Sequence, residues 1–521
     1  MSSLIEKGYL IEPKLESELT EEDLSRISTL FKGQGPFSRP CVVTREIIEN
    51  LKDKNIVASN WLEFEKTKAL YEKGKHKVSP SSFFSYVKKD AETPKQIITD
   101  TPPDIEQVRS AEEIKFNNDP KEFVRYYKDR FKELLNILRS RQELQSLTSI
   151  SRIRQKQRNE SVSLVGIIQT KNITRNGNVL LTVEDYTGKI SVLINKNKPD
   201  IFELAKDLCL DEVVGVEGAK GNNIVFANSV LLPDIPLNKE LKKSPEEEYA
   251  VFIGDTHVGS NAFMQKEFSK FLQWINGNLG NTKQKDIASK IKYLFVAGDL
   301  VEGVGIYPSQ EQDLEIKDIY RQYAEFTKYM KQIPPHIKII ICSGNHDAAR
   351  LAEPQPPVDR DIAQELYAMP NVWFVDNPST LRIGKKHNFP GFDVLLYHGS
   401  SFIYYADAIE SIRQAGGLER VDLIAKYLLR RRHLAPTHGS APYTINYTKD
   451  PLLIKTVPDF FVSGHIHRAT AKSYRNISIL NCSCWIGQTK YQEKVGLKPQ
   501  PARVPIVNLH TRDTKLLSFL N

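Results

Sequence analysis

The chain has 521 residues, of which 40% are hydrophobic and 26% charged, and its net charge at pH 7 is +8. The length predicts several domains, because a single hydrophobic core rarely serves more than about 250–300 residues. No apolar run approaches the roughly 20 residues that span a bilayer, so we expect a cytoplasmic protein with no membrane contact. Five dispersed cysteines exclude a disulfide framework, and residues 1–10 lack a signal-peptide pattern. The mild positive charge is compatible with nucleic acid but does not require it.

Residues 1–75 carry helical signals. Thr20 precedes three acidic residues, which is typical of a capped helix N-terminus, and apolar residues recur at helical spacing after it. Because no residue of this region belongs to a chemical motif, we predict a small helical interaction module.

Residues 76–117 differ in composition from the region before them. Prolines, serines and scattered charges leave little to bury, which predicts a flexible linker. Within this linker, Phe83-Phe84 resembles the aromatic end of a sliding-clamp peptide. Lys77 and Pro80 stand where such a peptide has glutamine and an aliphatic residue, so we weigh clamp binding against a packing role.

A strong helix and a strand-rich region follow. Asp119-Pro120 supplies a cap and an N1 proline, which predicts a helix within residues 118–148 whose apolar face packs on the core. Residues 150–236 contain five short apolar runs separated by turn signals, a pattern that predicts an OB-fold barrel. Four basic residues at its entry are candidates for DNA-backbone contacts, although a charge run is more often a solvated face: Arg152, Arg154, Lys156 and Arg158.

Residues 249–521 carry five short signatures, each placed after an apolar run that predicts a strand. The signatures are Gly254-Asp255-Thr256-His257, Gly298-Asp299-Leu300-Val301-Glu302, Gly344-Asn345-His346-Asp347, Tyr397-His398-Gly399 and Gly464-His465-Ile466-His467. Continuous apolar runs are typical of strands covered on both faces, so we predict an α/β domain. Because the carboxyl ends of adjacent strands converge, we expect the signatures to meet at a common sheet edge.

The donor types in these signatures favour a pair of divalent metal ions. Residues i and i+2 of an extended segment point the same way, so Asp255 with His257, and His465 with His467, are each expected to serve one centre. Asp299 is a candidate for a carboxylate that bridges two ions about 3.5–4 Å apart.

The remaining donors indicate which metals fit. Asn345 adds a neutral oxygen, and mixed nitrogen and oxygen ligation suits Mn²⁺, Fe²⁺ or Zn²⁺ better than Mg²⁺ or Ca²⁺. His433, His438 and His510 lie outside the signatures and are expected not to bind metal. Two such ions over a phosphate predict a phosphoesterase that acts on a polynucleotide.

Together the five signatures resemble the calcineurin-like metallophosphoesterase superfamily, which has an α/β sandwich fold. The resemblance implies one metal held by Asp255, His257, Asp299 and His467, and a second held by Asp299, Asn345, His398 and His465. It also implies that His346 protonates the leaving oxygen and that Asp347 orients His346. Glu302 stands where the superfamily often has aspartate, next to the ligands rather than on the metal.

The order of barrel before phosphoesterase domain resembles the small (B) subunits of archaeal family D DNA polymerases. The stretches that carry this resemblance are residues 303–308 and 345–356. It implies a two-metal 3′–5′ exonuclease, with Mn²⁺ as the expected metal, that proofreads single-stranded or mismatched DNA 3′ ends beside a large catalytic subunit. Two alternatives remain open: a scaffold for the large subunit with weak nuclease activity, and a stand-alone metallophosphoesterase or nuclease.

Overall fold

The computed structural model describes residues 10–11, 42–43, 105–108, 119–144, 146–445, 447–489, 492–493 and 498–520. The chain divides into two units, Met1–Thr99 and Asp100–Asn521. In the first unit, strands β1 (Leu10–Ile11) and β2 (Val42–Val43) pair in parallel, which the helical signals of that region did not predict. The predicted helix after Thr20 and the dipeptide Phe83-Phe84 lie outside the described residues.

Part of the predicted linker is a strand. Strand β3 (Ile105–Gln107) pairs antiparallel with β13 (Ser379–Ile383), and the side chain of Ile105 is buried. The prediction of a flexible linker is therefore wrong at residues 105–107. One apolar side chain next to exposed Glu106 is enough to add a strand to an existing sheet, and the polar composition of the whole segment concealed it.

Helix α1 (Pro120–Arg139) confirms the helix predicted from its cap. The Asp119 side chain accepts a hydrogen bond from the backbone N–H of Lys121, and Pro120 opens the helix. Its buried face also contains the charged side chain of Arg130, which forms a 2.7 Å ion pair with Asp450. Among the described residues, no helix is both long and apolar enough to cross a membrane.

Five strands after this helix close into a barrel in the order β4-β5-β6-β8-β7. Alternate side chains of these strands fill its interior, as in β5, where Val179, Leu181 and Val183 are buried. The strands are β4 (Ser161–Ile173), β5 (Val179–Asp185), β6 (Gly188–Ile194), β7 (Val213–Lys220) and β8 (Ile224–Leu231). Helix α3 (Pro199–Lys206), between β6 and β7, was not predicted.

The four basic residues at the barrel entry lie in and after helix α2 (Ile150–Gln155). Arg152, Arg154 and Arg158 are exposed, whereas Lys156 is half-buried. Arg154 donates to the carbonyl of Lys189, and Lys156 donates to the carbonyl of Ser161.

The rest of the chain forms two six-stranded sheets. The first has the order β12-β11-β10-β9-β18-β19, and the second has the order β16-β17-β15-β14-β13-β3. The first contains β9 (Tyr249–Ile253), β10 (Ile291–Ala297), β11 (Lys338–Cys342), β12 (Val372–Val375), β18 (Arg503–Asn508) and β19 (Thr514–Ser518). Besides β3 and β13, the second contains β14 (Phe392–Leu396), β15 (Phe460–Ser463), β16 (Thr470–Tyr474) and β17 (Ile477–Asn481).

The two sheets pack face to face through one apolar layer. Phe252 and Phe295 from the first sheet belong to the same buried cluster as Phe460 from the second. The opposite face of the first sheet, with Val251, packs against helices, and so does the opposite face of the second, with Phe461. The predicted α/β sandwich thus has strands covered on both sides, which explains their continuous apolar runs.

The helices cover the two outer faces. Those on the first sheet are α4 (Gln265–Ile275), α5 (Thr282–Ser289), α6 (Ile319–Met330) and α7 (Gln364–Tyr367). Those on the second are α8 (Phe402–Ala408), α9 (Glu410–Gln414) and α10 (Val421–Arg431). Short 3₁₀ turns occupy Gln142–Leu144, Gln310–Asp313 and Gly417–Glu419.

Candidate metal centre

The five signatures follow β9, β10, β11, β14 and β15, so the strand predicted before each of them is present. The first three strands belong to one sheet and the last two to the other. The expectation of one common sheet edge is therefore wrong. Because the sheets pack face to face, the carboxyl ends of both sets of strands reach the same place.

The backbone turns sharply at the predicted ligands. Five of them have left-handed φ angles: Asp255 (50°), His257 (49°), Asp299 (50°), His465 (68°) and His467 (55°). Such angles are uncommon in residues other than glycine and cost roughly 1–3 kcal/mol each. The surrounding packing holds this strain, and the segments are not extended, so the i and i+2 argument does not apply to them.

The first group of donors comprises Asp255, His257 and His467, whose ligand atoms lie within 4.8 Å of one another. The Nε2 atoms of His257 and His467 are 3.1 Å apart. The Nε2 atom of His467 lies 3.4 Å from Oδ1 of Asp255. Asp255 and His257 share one group as predicted.

The second group comprises Asp299, His398 and His465. The Nε2 atom of His398 lies 3.3 Å from Oδ2 of Asp299 and 3.0 Å from Oδ1 of Asn345. Oδ2 of Asp299 is also 3.7 Å from Nε2 of His257, which belongs to the first group. Asp299 thus lies between these two groups, and the prediction from spacing that His465 and His467 serve one centre is wrong. A third group of potential ligands, His257, Glu302 and His346, overlaps the first.

The donor set fits divalent cations. Asp255 and Asp299 are buried, with 0% and 1% of their surface exposed, and among the described residues neither forms an ion pair with lysine or arginine. A buried carboxylate needs a compensating cation, because charge is costly to bury alone. Burial alone would raise the pKa of Asp299, but the imidazoles of His398 and His346 hold it well below its usual range. Carboxylate oxygens and imidazole nitrogens together are typical ligands of transition metals.

The histidines of the site are oriented through Nδ1. In His257 this atom lies 2.9 Å from Oε2 of Glu302, and in His398 it lies 2.7 Å from the carbonyl oxygen of Ala297. In His467 it lies 2.7 Å from Nε2 of Gln492, a contact that no sequence pattern indicated. The oxygens of Glu302 and Ala297 accept from Nδ1, so the rings of His257 and His398 present Nε2 to the other ligands, which is the usual role of such partners around a metal. The Gln492 amide nitrogen instead donates to Nδ1 of His467.

His346 and Asp347 do not interact as predicted. The Nδ1 atom of His346 lies 2.8 Å from the carbonyl oxygen of Glu302, which orients the ring. The Asp347 carboxylate instead accepts hydrogen bonds from the backbone of Gly344 and from the Tyr323 hydroxyl. It holds the loop around Asn345, so the expectation that Asp347 orients the His346 ring is wrong.

A hydrogen-bonded chain that was not predicted connects the loops of the two sheets. The backbone N–H of His398 donates to the side chain of Asn377, which donates to Gln355. Gln355 in turn donates to the carbonyl of Gly344. Gln355 lies in the stretch 345–356 that carried the resemblance, whereas Asn377 precedes a proline and gave no sign of a role at the site.

Glu353 lies two residues before Gln355 of this network, and the burial of its carboxyl group leads us to predict that the stability of the protein depends on pH. Its side chain is buried, Oε2 accepts from the Tyr397 hydroxyl at 3.3 Å, and Oε1 has no hydrogen-bond partner. Burial raises the pKa of Glu353 to about 7, above an unfolded value of about 4.3. Folding then takes up a proton, so wild-type stability falls as the pH rises from about 4 to 7.

Glu353→Gln removes this proton uptake. The stability of the variant relative to wild type should therefore increase between pH 5 and pH 8, by about 1–3 kcal/mol in total. Urea unfolding of metal-free protein at four pH values measures this difference, with exposed Glu410→Gln as the matched control. A difference that stays constant with pH would contradict the assignment of a neutral Glu353.

The three histidines outside the signatures have other partners. His433 lies 2.9 Å from Oδ2 of Asp450, His438 lies 2.9 Å from the Tyr443 hydroxyl, and His510 contacts a backbone carbonyl. None belongs to a group of potential metal ligands among the residues with described positions.

Residues 250–469 match the calcineurin-like phosphoesterase family, a class of domain that implies divalent metal ions. The match coincides with the part of the chain that carries all five signatures. The site and the fold thus define a metallophosphoesterase domain.

Similar proteins extend this likeness over most of the chain. A DNA polymerase II small subunit from Methanocaldococcus jannaschii is 39% identical over 390 residues, covering 74% of this chain and 64% of the relative. A DNA polymerase II small subunit from Methanothermobacter thermautotrophicus is 36% identical, covering 76% and 79%. One from Pyrococcus furiosus is 36% identical, covering 76% and 63%. The chain belongs to the family of DNA polymerase II small subunits. It spans less than two thirds of the length of two of these relatives.

Proposed function

We propose that this chain is the small subunit of a family D DNA polymerase and that its metallophosphoesterase domain removes nucleotides from DNA 3′ ends as a proofreading exonuclease. The observation that carries the proposal is the position of Asp299 between two groups of buried donors, 3.7 Å from His257 and 3.3 Å from His398. The names of the relatives support a large catalytic subunit as the partner.

In this proposal the chain holds two divalent ions, with Mn²⁺ the first candidate and Fe²⁺ or Zn²⁺ the alternatives. The first ion would be held by Asp255, His257, Asp299 and His467, and the second by Asp299, Asn345, His398 and His465. Two such ions acidify water and offset charge on a phosphodiester. Glu302 keeps the Nε2 lone pair of His257 directed at the site by binding Nδ1.

His346 is the proposed general acid. Its side chain is 17% exposed, whereas Asp255 and Asp299 are buried, so a substrate can reach it. The carbonyl of Glu302 keeps a proton on Nδ1. In the imidazolium form the ring therefore gives up the proton on Nε2 to the departing 3′ oxygen and becomes the neutral Nδ1–H tautomer.

Changing His346 to alanine tests this role through the leaving group. We expect cleavage of an oligonucleotide to fall by about 10²–10⁴, because general acid catalysis typically contributes that factor. A p-nitrophenyl phosphodiester should lose much less activity, since p-nitrophenolate departs without a proton. Initial rates on both substrates measure the contrast, with exposed His438→Ala as the control. Equal losses on the two substrates would assign His346 a binding role instead.

The direction and the substrate of cleavage need a separate assay. We expect 5′-labelled single-stranded and mismatched primers to shorten stepwise from the 3′ end in Mn²⁺, and chelation of the metal to stop the reaction. Removal of nucleotides from the 5′ end would contradict the polarity. Equal rates on small esters and DNA would favour a stand-alone phosphoesterase, and failure to bind any transition metal would favour a scaffold.

The other parts of the chain complete the proposal. The helix of residues 118–148 packs on the core, residues 150–236 form an OB-fold domain, and residues 249–521 form the nuclease. The barrel order β4-β5-β6-β8-β7 supports the OB assignment, because it joins the first and fourth strands in a closed five-stranded barrel. The proposed contacts to the DNA backbone are Arg152, Arg154, Lys156 and Arg158.

A further inference from the structure

The loop that follows Glu302 exposes apolar side chains beside the metal centre. Val304 is 47% exposed and Ile306 is 38% exposed, although Glu302 and Gly303, just before Val304, are buried. Gly303 and Gly305 have φ angles of +76° and +78°, which glycine adopts without strain and which turn the loop outward. We call Val304 and Ile306 the apolar ledge.

Two buried glutamines fix the shape of this loop. The side chain of Gln322 accepts from the backbone N–H of Gly303 at 2.8 Å and donates to its carbonyl at 3.1 Å. The side chain of Gln310 accepts from the N–H of Ile306 at 2.9 Å and donates to the carbonyl of Glu302 at 3.0 Å. The ledge is therefore preorganised, so binding a ligand on it costs little ordering of the loop.

The loop begins in contact with the proposed general acid. A Cβ atom at Gly303 would lie 2.4 Å from the carbonyl oxygen of His346, so only glycine permits this approach. The preceding residue, Glu302, holds the His346 ring through its carbonyl. The Tyr307 ring centroid, just after the ledge, lies 6.5 Å from that of His346. The loop is therefore a direct neighbour of the position at which the proposed function places the reacting phosphate.

We propose that the apolar ledge packs against the base of the 3′-terminal nucleotide and so selects polynucleotide ends with an unstacked base. The inference rests on the proposed exonuclease function and names the substrate feature that the same site reads. Every base has an apolar face, so such contact tolerates any sequence, and aliphatic side chains commonly insert between bases. A base that is paired and stacked in a duplex hides this face, which makes a frayed or mismatched end the preferred substrate.

The test uses the full chain, the double variant Val304→Ser/Ile306→Ser, and two single-stranded oligonucleotides in Mn²⁺. One oligonucleotide ends in a normal 3′ nucleotide and the other ends in an abasic 3′ residue. We expect wild type to cleave the normal end about tenfold or more faster than the abasic end, because base stacking contributes that much affinity. The variant should cleave both ends at the slower rate, while Leu237→Ser, at an 80% exposed position, should behave as wild type.

The possible results distinguish failure of the ledge proposal from failure of the proposed exonuclease function. Wild-type protein that cleaves neither end would overturn the proposed function and, with it, the ledge. A variant that keeps the full preference for the normal end would overturn the ledge alone. A variant that loses the same factor on both ends would also overturn it, because the loss would then come from a displaced His346.

Discussion

Replacing Asp299 with asparagine should lower phosphodiester cleavage at least a hundredfold, because even residues that only orient metal ligands contribute 10–100-fold. The change keeps the shape of the side chain and removes its charge at the point between the two donor groups. It leaves an amide 3.3 Å from Nε2 of His398 and 3.7 Å from Nε2 of His257. Both metal positions should therefore weaken together.

Two measurements check this expectation: kcat/KM on a single-stranded oligonucleotide, and the metal content of the purified protein after dialysis against Mn²⁺. The matched control is Asp286→Asn, which removes an exposed carboxylate that pairs with Lys290. It should keep full activity and full metal content. Loss of activity at an unchanged content of two metals per chain would indicate that Asp299 acts on the substrate rather than on the ions.

Replacing Asp450 with asparagine should destabilise the protein by about 3–5 kcal/mol, which is the usual effect of removing one partner of a buried ion pair. Asp450 accepts from Arg130 at 2.7 Å, from the Tyr126 hydroxyl at 2.7 Å and from His433 at 2.9 Å. After the change, Arg130 loses its negative partner, keeps its hydrogen bond to the carbonyl of Pro436 and stays buried with its charge.

Chemical denaturation at pH 7 measures the loss. Glu311→Gln serves as the control, because it breaks the exposed pair with Lys317 and should leave stability unchanged. The double variant Arg130→Met/Asp450→Leu removes both charges and should recover much of the loss. If the double variant is as unstable as Asp450→Asn, then lost packing and not the buried charge is the cause.

The buried carboxylate of Asp450 also leads us to predict how its contribution to stability changes at acidic pH. Burial alone would raise the pKa of Asp450, but the charge of Arg130 and the hydrogen bond from His433 hold the pKa of this carboxyl well below its usual range. A depressed pKa stabilises the fold above the unfolded value of about 3.9, and the stabilisation is lost as the pH falls below it. The difference between wild type and Asp450→Asn should therefore shrink below about pH 4.

The sequence revealed the strands before each signature because their apolar runs are continuous, as in Tyr249–Ile253 and Phe460–Ser463. It also revealed which residue types gather there. Spacing along the chain did not reveal how they divide, since the left-handed backbone at His465 and His467 sends neighbouring ligands to different groups. Only the resemblance to the superfamily implied this division. Local spacing carries no information about such angles in residues other than glycine.

The contacts that the sequence did not predict were missed for a different reason. Asn377 and Gln492 contact His398 and His467 across separations of 21 and 25 residues, and single polar residues have no periodicity that marks a role. Strand β3 escaped prediction because one buried side chain, Ile105, sufficed to extend a sheet that the rest of the chain had already built.

The candidate ligands come from two separate sheets, so the geometry of the site depends on how the two sheets pack against each other. Asp299 comes from the first sheet and His398 from the second, yet their side-chain atoms are 3.3 Å apart. A sideways slip of one sheet by about 1 Å would change that distance while leaving every strand intact, and misplacements of about 1 Å are costly for catalysis. Rings packed between the sheets, such as Phe252 and Phe460 with centroids 6.3 Å apart, therefore help to set the alignment that the proposed chemistry requires.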